Sequence, residues 1–319
     1  MTTKTMLLFI LLLFLQEKVE SPPQDLELAK GASMILYSKK RINTEGWSIY
    51  AISPDNLRSE RVIPFSNGMG EYNPALSPNG NTILFNTYRY GGWKLATYDM
   101  KSEEVSRVTR ASNYFTNGSY SPDGTRMVYE KNIGRSTHIC MADQYGKNEV
   151  VLTSDKESRE NRIPIWTPDG KSIIYYSERN QVNDIFAINI ESRIQKNLTN
   201  NKEGNDFAPS ISPNGKQIAF FSDRNGYLDL YVMDSAGNNQ ILLTESLQNK
   251  NNTYNYFTDS NTYWIFKSAW SPDGKQLVFS NVTGNNIDLF TIEKTGDNIK
   301  NITNSPQSEY TPSWGRIKL

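Results

Sequence analysis

One four-residue phrase returns through the chain at nearly constant spacing. It reads Ser77-Pro78-Asn79-Gly80, Ser121-Pro122-Asp123-Gly124, Thr167-Pro168-Asp169-Gly170, Ser212-Pro213-Asn214-Gly215 and Ser271-Pro272-Asp273-Gly274. The steps are 44, 46, 45 and 59 residues. A period of roughly 40–50 residues marks a solenoid, propeller or array, in which each repeat is one supersecondary unit stacked on its neighbours. A residue present in every repeat belongs to the scaffold, so function is sought where the repeats differ.

Each phrase is a turn with a mechanism. Proline presets φ for the first corner, Asp or Asn suits the next, and Gly takes the left-handed position. Strand-forming residues flank every turn. A first strand precedes it, as in Asn73-Pro74-Ala75-Leu76 and Lys267-Ser268-Ala269-Trp270. A second follows, as in Ile83-Leu84-Phe85 and Ile173-Ile174-Tyr175-Tyr176, then a third, as in Asp229-Leu230-Tyr231-Val232-Met233. A short fourth is expected to end on Thr109, Thr153, Thr199, Thr244 or Thr303. No amphipathic helical window of useful length follows residue 33. Four antiparallel strands per repeat describe a propeller blade. Residues 34–63 hold a second and a third strand and a fourth over Arg61-Val62-Ile63, but no first strand or turn. Tyr310-Thr311-Pro312-Ser313-Trp314-Gly315 supplies the missing start. Residues 310–314 are therefore expected to pair with residues 34–38. The prediction is an all-β, six-bladed propeller over residues 34–319, closed by its C-terminal strand.

The repeat reads Pro-x-Trp/Ile-Ser-Pro-Asp-Gly-Lys-x-Ile-x-Phe-x-Ser-Asp-Arg-x-Gly-x-x-Asp-Ile/Leu-Tyr, and residues 209–231 follow it almost throughout. This resembles the WD40-like propeller repeat of the TolB family, over about residues 34–315. The resemblance implies a periplasmic protein of the Tol–Pal envelope system, built from a propeller and a preceding α/β domain. Here residues 17–33 alone stand between an apolar leader and the first strand. The same repeat occurs in propellers of prolyl oligopeptidases and in oligogalacturonate lyases.

The leader is Met6 to Leu15, ten apolar residues after Lys4. That length suits a signal-peptide core and is too short to cross a bilayer. Residues 1–16 are thus expected to be a signal peptide, cleaved between Gln16 and Ser21, with an uncleaved anchor as the alternative. Residues 17–33 read as a linker. The expected location is periplasmic or secreted. Lys plus Arg and Asp plus Glu both number 34, with no basic run beyond Lys39-Lys40-Arg41. That balance leaves nucleic-acid binding without an electrostatic footprint.

The chain has one histidine and one cysteine. His138 aligns with Ser48, Lys94, Asp184, Asp229 and Asp288, an ordinary polar position of the third strand. Cys140 aligns with Tyr50, Ala96, Phe186, Tyr231 and Phe290, an apolar one, which argues for a buried, unreactive thiol. One His and one Cys exclude a zinc site and the histidine-rich metal site that a lyase implies. No Gly-x-Ser-x-Gly elbow occurs. Asp223 to Asp229 has a calcium-loop look without EF-hand spacing and falls on the repeat's normal turn. No catalytic residue, metal or cofactor is assigned.

Two departures between repeats remain. From Thr244 to the next turn there are 27 residues, against 12 to 14 elsewhere. The extra stretch carries Tyr254, Tyr256 and Trp264, which could stack on sugars, anchor a peptide or fold against the neighbouring blade. It enters a first strand, hence the face shared with the turns between second and third strands. Those turns carry Lys40, Arg89, Arg179 and Arg224, with Ile133 and Thr283 in the other blades. The cations could attract an acidic surface or stabilise their turns. The resulting expectation is a non-catalytic, monomeric interaction scaffold for envelope proteins, peptidoglycan-associated or outer-membrane. A carbohydrate- or small-ligand-binding propeller is the alternative.

Overall fold

The second strand of each repeat is apolar at nearly every position, and the fold buries both of its faces. In residues 83–85, Ile83 and Phe85 pack with Leu36 and Ile49 of the preceding repeat, whereas Leu84 packs with Met127 and Tyr129 of the next. Val128 and Val278 divide from their strand neighbours in the same way. Alternation with period two thus sends one set of side chains to each neighbour, and the core lies as slabs between adjacent sheets.

The computed structural model describes residues 31–42, 46–55, 57–66, 68–247, 266–284 and 286–318. Six four-stranded antiparallel sheets form the ring. Blade 1 holds β1 (Ser33–Lys40), β2 (Trp47–Ile52) and β3 (Ser59–Arg61). Blade 2 holds β4 (Glu71–Leu76), β5 (Thr82–Thr87), β6 (Lys94–Asp99) and β7 (Glu104–Arg107). Blade 3 holds β8 (Phe115–Tyr120), β9 (Arg126–Ile133), β10 (Ser136–Asp143) and β11 (Val150–Val151). Blade 4 holds β12 (Asn161–Trp166), β13 (Ser172–Arg179), β14 (Val182–Asn189) and β15 (Gln195–Asn197). Blade 5 holds β16 (Asp206–Ile211), β17 (Gln217–Ser222), β18 (Asp229–Asp234) and β19 (Ile241–Leu242). Blade 6 holds β20 (Ser268–Trp270), β21 (Gln276–Thr283), β22 (Asn286–Glu293) and β23 (Lys300–Asn301). The last strand, β24 (Glu309–Arg316), returns to blade 1. It pairs antiparallel with β1, Met34 opposite Gly315 and Ser38 opposite Tyr310. The expected closure is therefore present, and Ile35 and Tyr37 meet Val278 and Leu289 across the seam.

Each turn carries the hydrogen bonds its residues offer. Ser77 Oγ donates to Asn79 Oδ1 (2.7 Å) and accepts the Thr82 N–H (3.0 Å), and Gly80 has φ +74°. The fourth strands differ from expectation by ending before their threonines. Each threonine hydroxyl instead accepts a third-strand N–H, as from Leu95 to Thr109 (2.9 Å) and from Leu230 to Thr244 (2.9 Å). A side-chain oxygen replaces the next rung of the ladder, so the chain turns away without orphaning that amide. β3 likewise ends at Arg61, short of the expected Ile63.

The first strands also carry a bulge absent from the sequence reading. Register shifts fall between Tyr72 and Ala75, Thr116 and Ser119, Arg162 and Ile165, and Phe207 and Ser210. The bulged residues Asn73, Asn117, Ile163 and Ala208 have φ of +57°, +52°, +49° and +49°, as does Thr311 of β24 at +49°. Three of their amides face the preceding blade. Asn73 N–H donates to Ser38 Oγ (2.8 Å), Asn117 N–H to Asn86 Oδ1 (3.1 Å), and Ile163 N–H to Glu130 Oε1 (2.6 Å). Among the described residues the only helical element is a 3-10 turn at Glu245–Leu247, and no helix is long and apolar enough to cross a membrane.

Candidate functional site

The three arginines singled out from the sequence lie on one face, each committed to its own surroundings. Arg89 Nε meets Glu71 Oε1 at 2.8 Å and its Nη2 donates to Pro64 O at 2.6 Å. Arg224 holds both oxygens of Asp206 (2.8 and 2.9 Å), and donates to Gln240 Oε1 (2.6 Å) and Ser222 Oγ (2.9 Å). Arg179 donates to Gln195 Oε1 and lies 3.9 Å from the Phe186 ring centroid. Glu71 and Asp206 sit at equivalent places near the start of a first strand, both buried. In blade 1 the matching carboxylate, Glu309, pairs with Lys39 at 3.3 Å rather than with Lys40. Burial pushes the Asp206 carboxyl up, opposed by Arg224 and Ser222. These cations tie the turn between second and third strands to other parts of their blade. Tyr254, Tyr256 and Trp264 lie outside the described residues.

The third-strand polar position has a common task. Lys94 donates to Asn113 O (2.6 Å) and Ser112 O (3.2 Å); Asp184 accepts the Asn201 N–H (2.8 Å). His138 Nε2 lies 3.1 Å from Asp155 Oδ1, and its Nδ1 lies 3.4 Å from Thr153 Oγ1. Each side chain thereby holds the connection to the next blade. In His138 the acid is exposed and the hydroxyl partner, Thr153, buried. A nucleophilic triad needs the reverse. Cys140 is fully buried, and its thiol is pushed up to about 12 by burial. Asp223 accepts the Asn205 N–H (2.6 Å) and Nδ2 (3.0 Å), so its carboxylate fastens two loops. Among the described residues no group of three or more His, Cys, Asp or Glu is placed to hold a metal ion.

The opposite face holds the turns, and their prolines surround the mouth of the central channel. A cavity of about 460 Å³ runs inward from this mouth, lined by strands of all six blades. The residues next to the turns, Leu76, Tyr120, Trp166, Ile211, Trp270 and Trp314, supply the apolar part of a lining that also holds serines and asparagines. At its inner end Lys267 reaches across the ring. Its Nζ donates to Asn73 Oδ1 of blade 2 (2.6 Å) and Asn117 Oδ1 of blade 3 (2.9 Å). Burial pushes the ammonium pKa down to about 8, opposed by the field of Glu130. Glu130 accepts from Asn117 Nδ2 (2.6 Å), Ile163 N (2.6 Å) and Thr116 Oγ1 (2.9 Å), with Arg162 Nη1 at 3.7 Å. A larger open groove between blades 2 and 3 is lined by Arg107, Lys131, Lys147, Tyr145 and Glu149. There Glu149 pairs with Lys131 and accepts the Tyr129 hydroxyl at 2.8 Å. The channel thus combines walls of mixed apolar and polar character with a cation that faces neutral amides. Sequence reasoning passed over Lys267. Its signal was available: four residues before each turn the other blades carry Asn73, Asn117, Ile163, Ala208 and Thr311, and only this one a charge.

The description of the TolB beta propeller domain matches residues 30–203, more than half of the chain. The chain belongs to the TolB beta propeller family. Among similar proteins is the Tol-Pal system protein TolB of Francisella tularensis subsp. mediasiatica, 27% identical over 186 residues, covering 44% of this chain and 42% of that protein. The Tol-Pal system protein TolB of Anaeromyxobacter dehalogenans is 34% identical over 99 residues, covering 31% and 21%. The chain thus spans less than half the length of these curated relatives. Among solved structures, TolB from Acinetobacter baumannii superposes with a TM-score of 0.74 at 19% identity, over 88% of this chain and 66% of that one. A putative TolB from Agrobacterium tumefaciens gives 0.64 at 18%, over 90% and 99%. At these identities the structures share the TolB propeller's fold.

Proposed function

We propose that this TolB-family propeller is a non-catalytic interaction protein of the cell envelope, exported by its leader and holding a partner protein on one rigid face. The family match over residues 30–203 carries the reading. Relatives named as Tol-Pal system proteins support it. So does the geometry, because six blades bring loops and aromatic side chains from distant parts of the chain to one mouth. Trp and Tyr at such a convergence suit binding anchors. Tyr254, Tyr256 and Trp264, in the insertion that follows Thr244, are our proposed partner contacts, whereas Arg89, Arg179 and Arg224 are engaged by their own surroundings and are at most accessory to them.

In-cell crosslinking of the tagged protein, followed by mass spectrometry, tests this. Recovery of peptidoglycan-associated or outer-membrane proteins is the expected result. Replacing Tyr254, Tyr256 and Trp264 together by Ala is expected to reduce recovery without lowering the melting temperature; unchanged recovery removes the insertion from the contact surface. A protein-free result overturns the reading and moves the search to glycan arrays.

A further inference from the structure

Lys267 stands at the inner end of the channel with its charge poorly answered. Two of its three N–H groups go to the neutral oxygens of Asn73 and Asn117. Among the described residues it makes no ion pair. Glu130 acts on it only through space, since four donors of blades 3 and 4 already surround that carboxylate. A half-buried cation with no ion-pair partner among the described residues is costly, and an incoming negative charge would relieve that cost.

The space beyond it has the size and character of a ligand site. Its volume of about 460 Å³ falls in the range of small-molecule pockets. Its walls mix apolar and polar groups: prolines, Leu76, Ile211, Tyr120 and the edges of three largely buried tryptophans alternate with serines and asparagines. One ammonium with one N–H left suits a singly charged head group. A phosphate or sulfate would need several cations or a fan of backbone amides, which the described residues of the floor do not offer.

We propose that the channel is a receptor for a small monocarboxylic acid with an aromatic or aliphatic body. The carboxylate accepts the remaining N–H of Lys267, and the body lies among Trp166, Trp270 and Trp314. Entry is from the turn face, past Pro78, Pro122, Pro168 and Pro213. This does not depend on the envelope-partner reading, because it concerns the purified chain and a small molecule.

The test titrates the full chain at pH 7 with 4-phenylbutyrate and with octanoate, read by tryptophan fluorescence and calorimetry. The uncharged controls are 4-phenylbutanol and octanol, and inorganic phosphate is the ionic control. Saturable one-to-one binding of at least one acid is expected, with its alcohol about tenfold weaker or more, the worth of a charged hydrogen bond. Lys267→Met, shown folded by its melting curve, is expected to lose the same factor. Comparing acid with alcohol needs no variant, so the test stands even if Lys267→Met does not fold. Absence of saturable binding by either acid, equal affinity for acid and alcohol, or phosphate displacing the acid overturns the proposal. So does a folded Lys267→Met that binds as tightly as the natural protein.

Discussion

Burial and the Glu130 field act on Lys267 in opposite senses, and burial dominates, leaving a pKa of about 8. An ordinary lysine keeps its proton to about pH 10.4. Between these values the unfolded chain binds one more proton than the folded one, so this group makes stability rise with pH across that window. Cys140, raised to about 12, acts oppositely above about pH 9, since the folded state then holds a proton the unfolded chain has released. Lys267→Met isolates the lysine. Its stability relative to the natural protein is expected to fall by up to about 3 kcal/mol from pH 7.5 to 10.5, measured by urea unfolding. Parallel curves would remove the depressed lysine. Glu130 is a second residue whose loss reaches beyond its own blade. Glu130→Ala leaves the left-handed Ile163 amide and the Asn117 amide without their acceptor. It also strips Arg162 of one of its two carboxylates. We expect a cost of about 3–5 kcal/mol, seen as a lower urea midpoint.

Within one blade, the structural unit extends past its four strands to the residues that end them. Thr244 accepts the Leu230 N–H at 2.9 Å and donates to Asp229 Oδ1 at 2.9 Å, all three residues being buried. Thr244→Val keeps the shape and removes both bonds. An expected loss of about 2 kcal/mol in thermal or urea unfolding follows from one orphaned amide and one under-served carboxylate. A change within about 0.5 kcal/mol would contradict the clasp. Gly237 is a comparable point at the boundary between blades. Its φ is +96°, and a Cβ would lie 2.1 Å from Leu198 O of blade 4. The turns and hairpins were legible in the sequence because their determinants are local: Pro, Asx and Gly fix the corner, and alternation fixes the faces. The bulges were not, because Asn73, Asn117 and Ile163 are held by Ser38, Asn86 and Glu130 of the preceding blade. The channel floor was hidden for the same reason, since Lys267 meets asparagines 194 and 150 residues away. The recurring arginines were visible, but their carboxylate partners Glu71 and Asp206 could be assigned only once β4 and β16 had a register.

Closure of the ring depends on one strand taken from the far end of the chain. β24 pairs with β1 along its length, and Glu309, Trp314 and Ile317 add further ties. Glu309 meets Lys39, Trp314 Nε1 donates to Ser33 Oγ at 2.8 Å, and Ile317 packs against blades 1 and 2. Without β24, blade 1 would present the edge of β1 to solvent, and the apolar slab shared with blade 6 would open. Unpaired strand edges of this kind invite pairing with other chains. Because every blade packs on two neighbours, the loss is felt around the ring. Deleting residues 309–319 is expected to lower the melting temperature by about 10 °C or more and to promote association on sizing columns. Loss of closure can be separated from loss of sequence. Ile317 O accepts the Gly31 N–H at 2.8 Å, so the end of β24 lies beside the start of β1. A permuted chain that begins at residue 309 and joins β24 to β1 through a Ser-Pro-Asp-Gly turn would give blade 1 the connectivity of the other five. It is expected to stay monomeric and to melt within a few degrees of the natural protein. A truncated protein with an unchanged melting temperature would refute closure by β24. A permuted chain as unstable as the truncated one would show that the original connectivity, rather than the β24–β1 ladder, holds the ring.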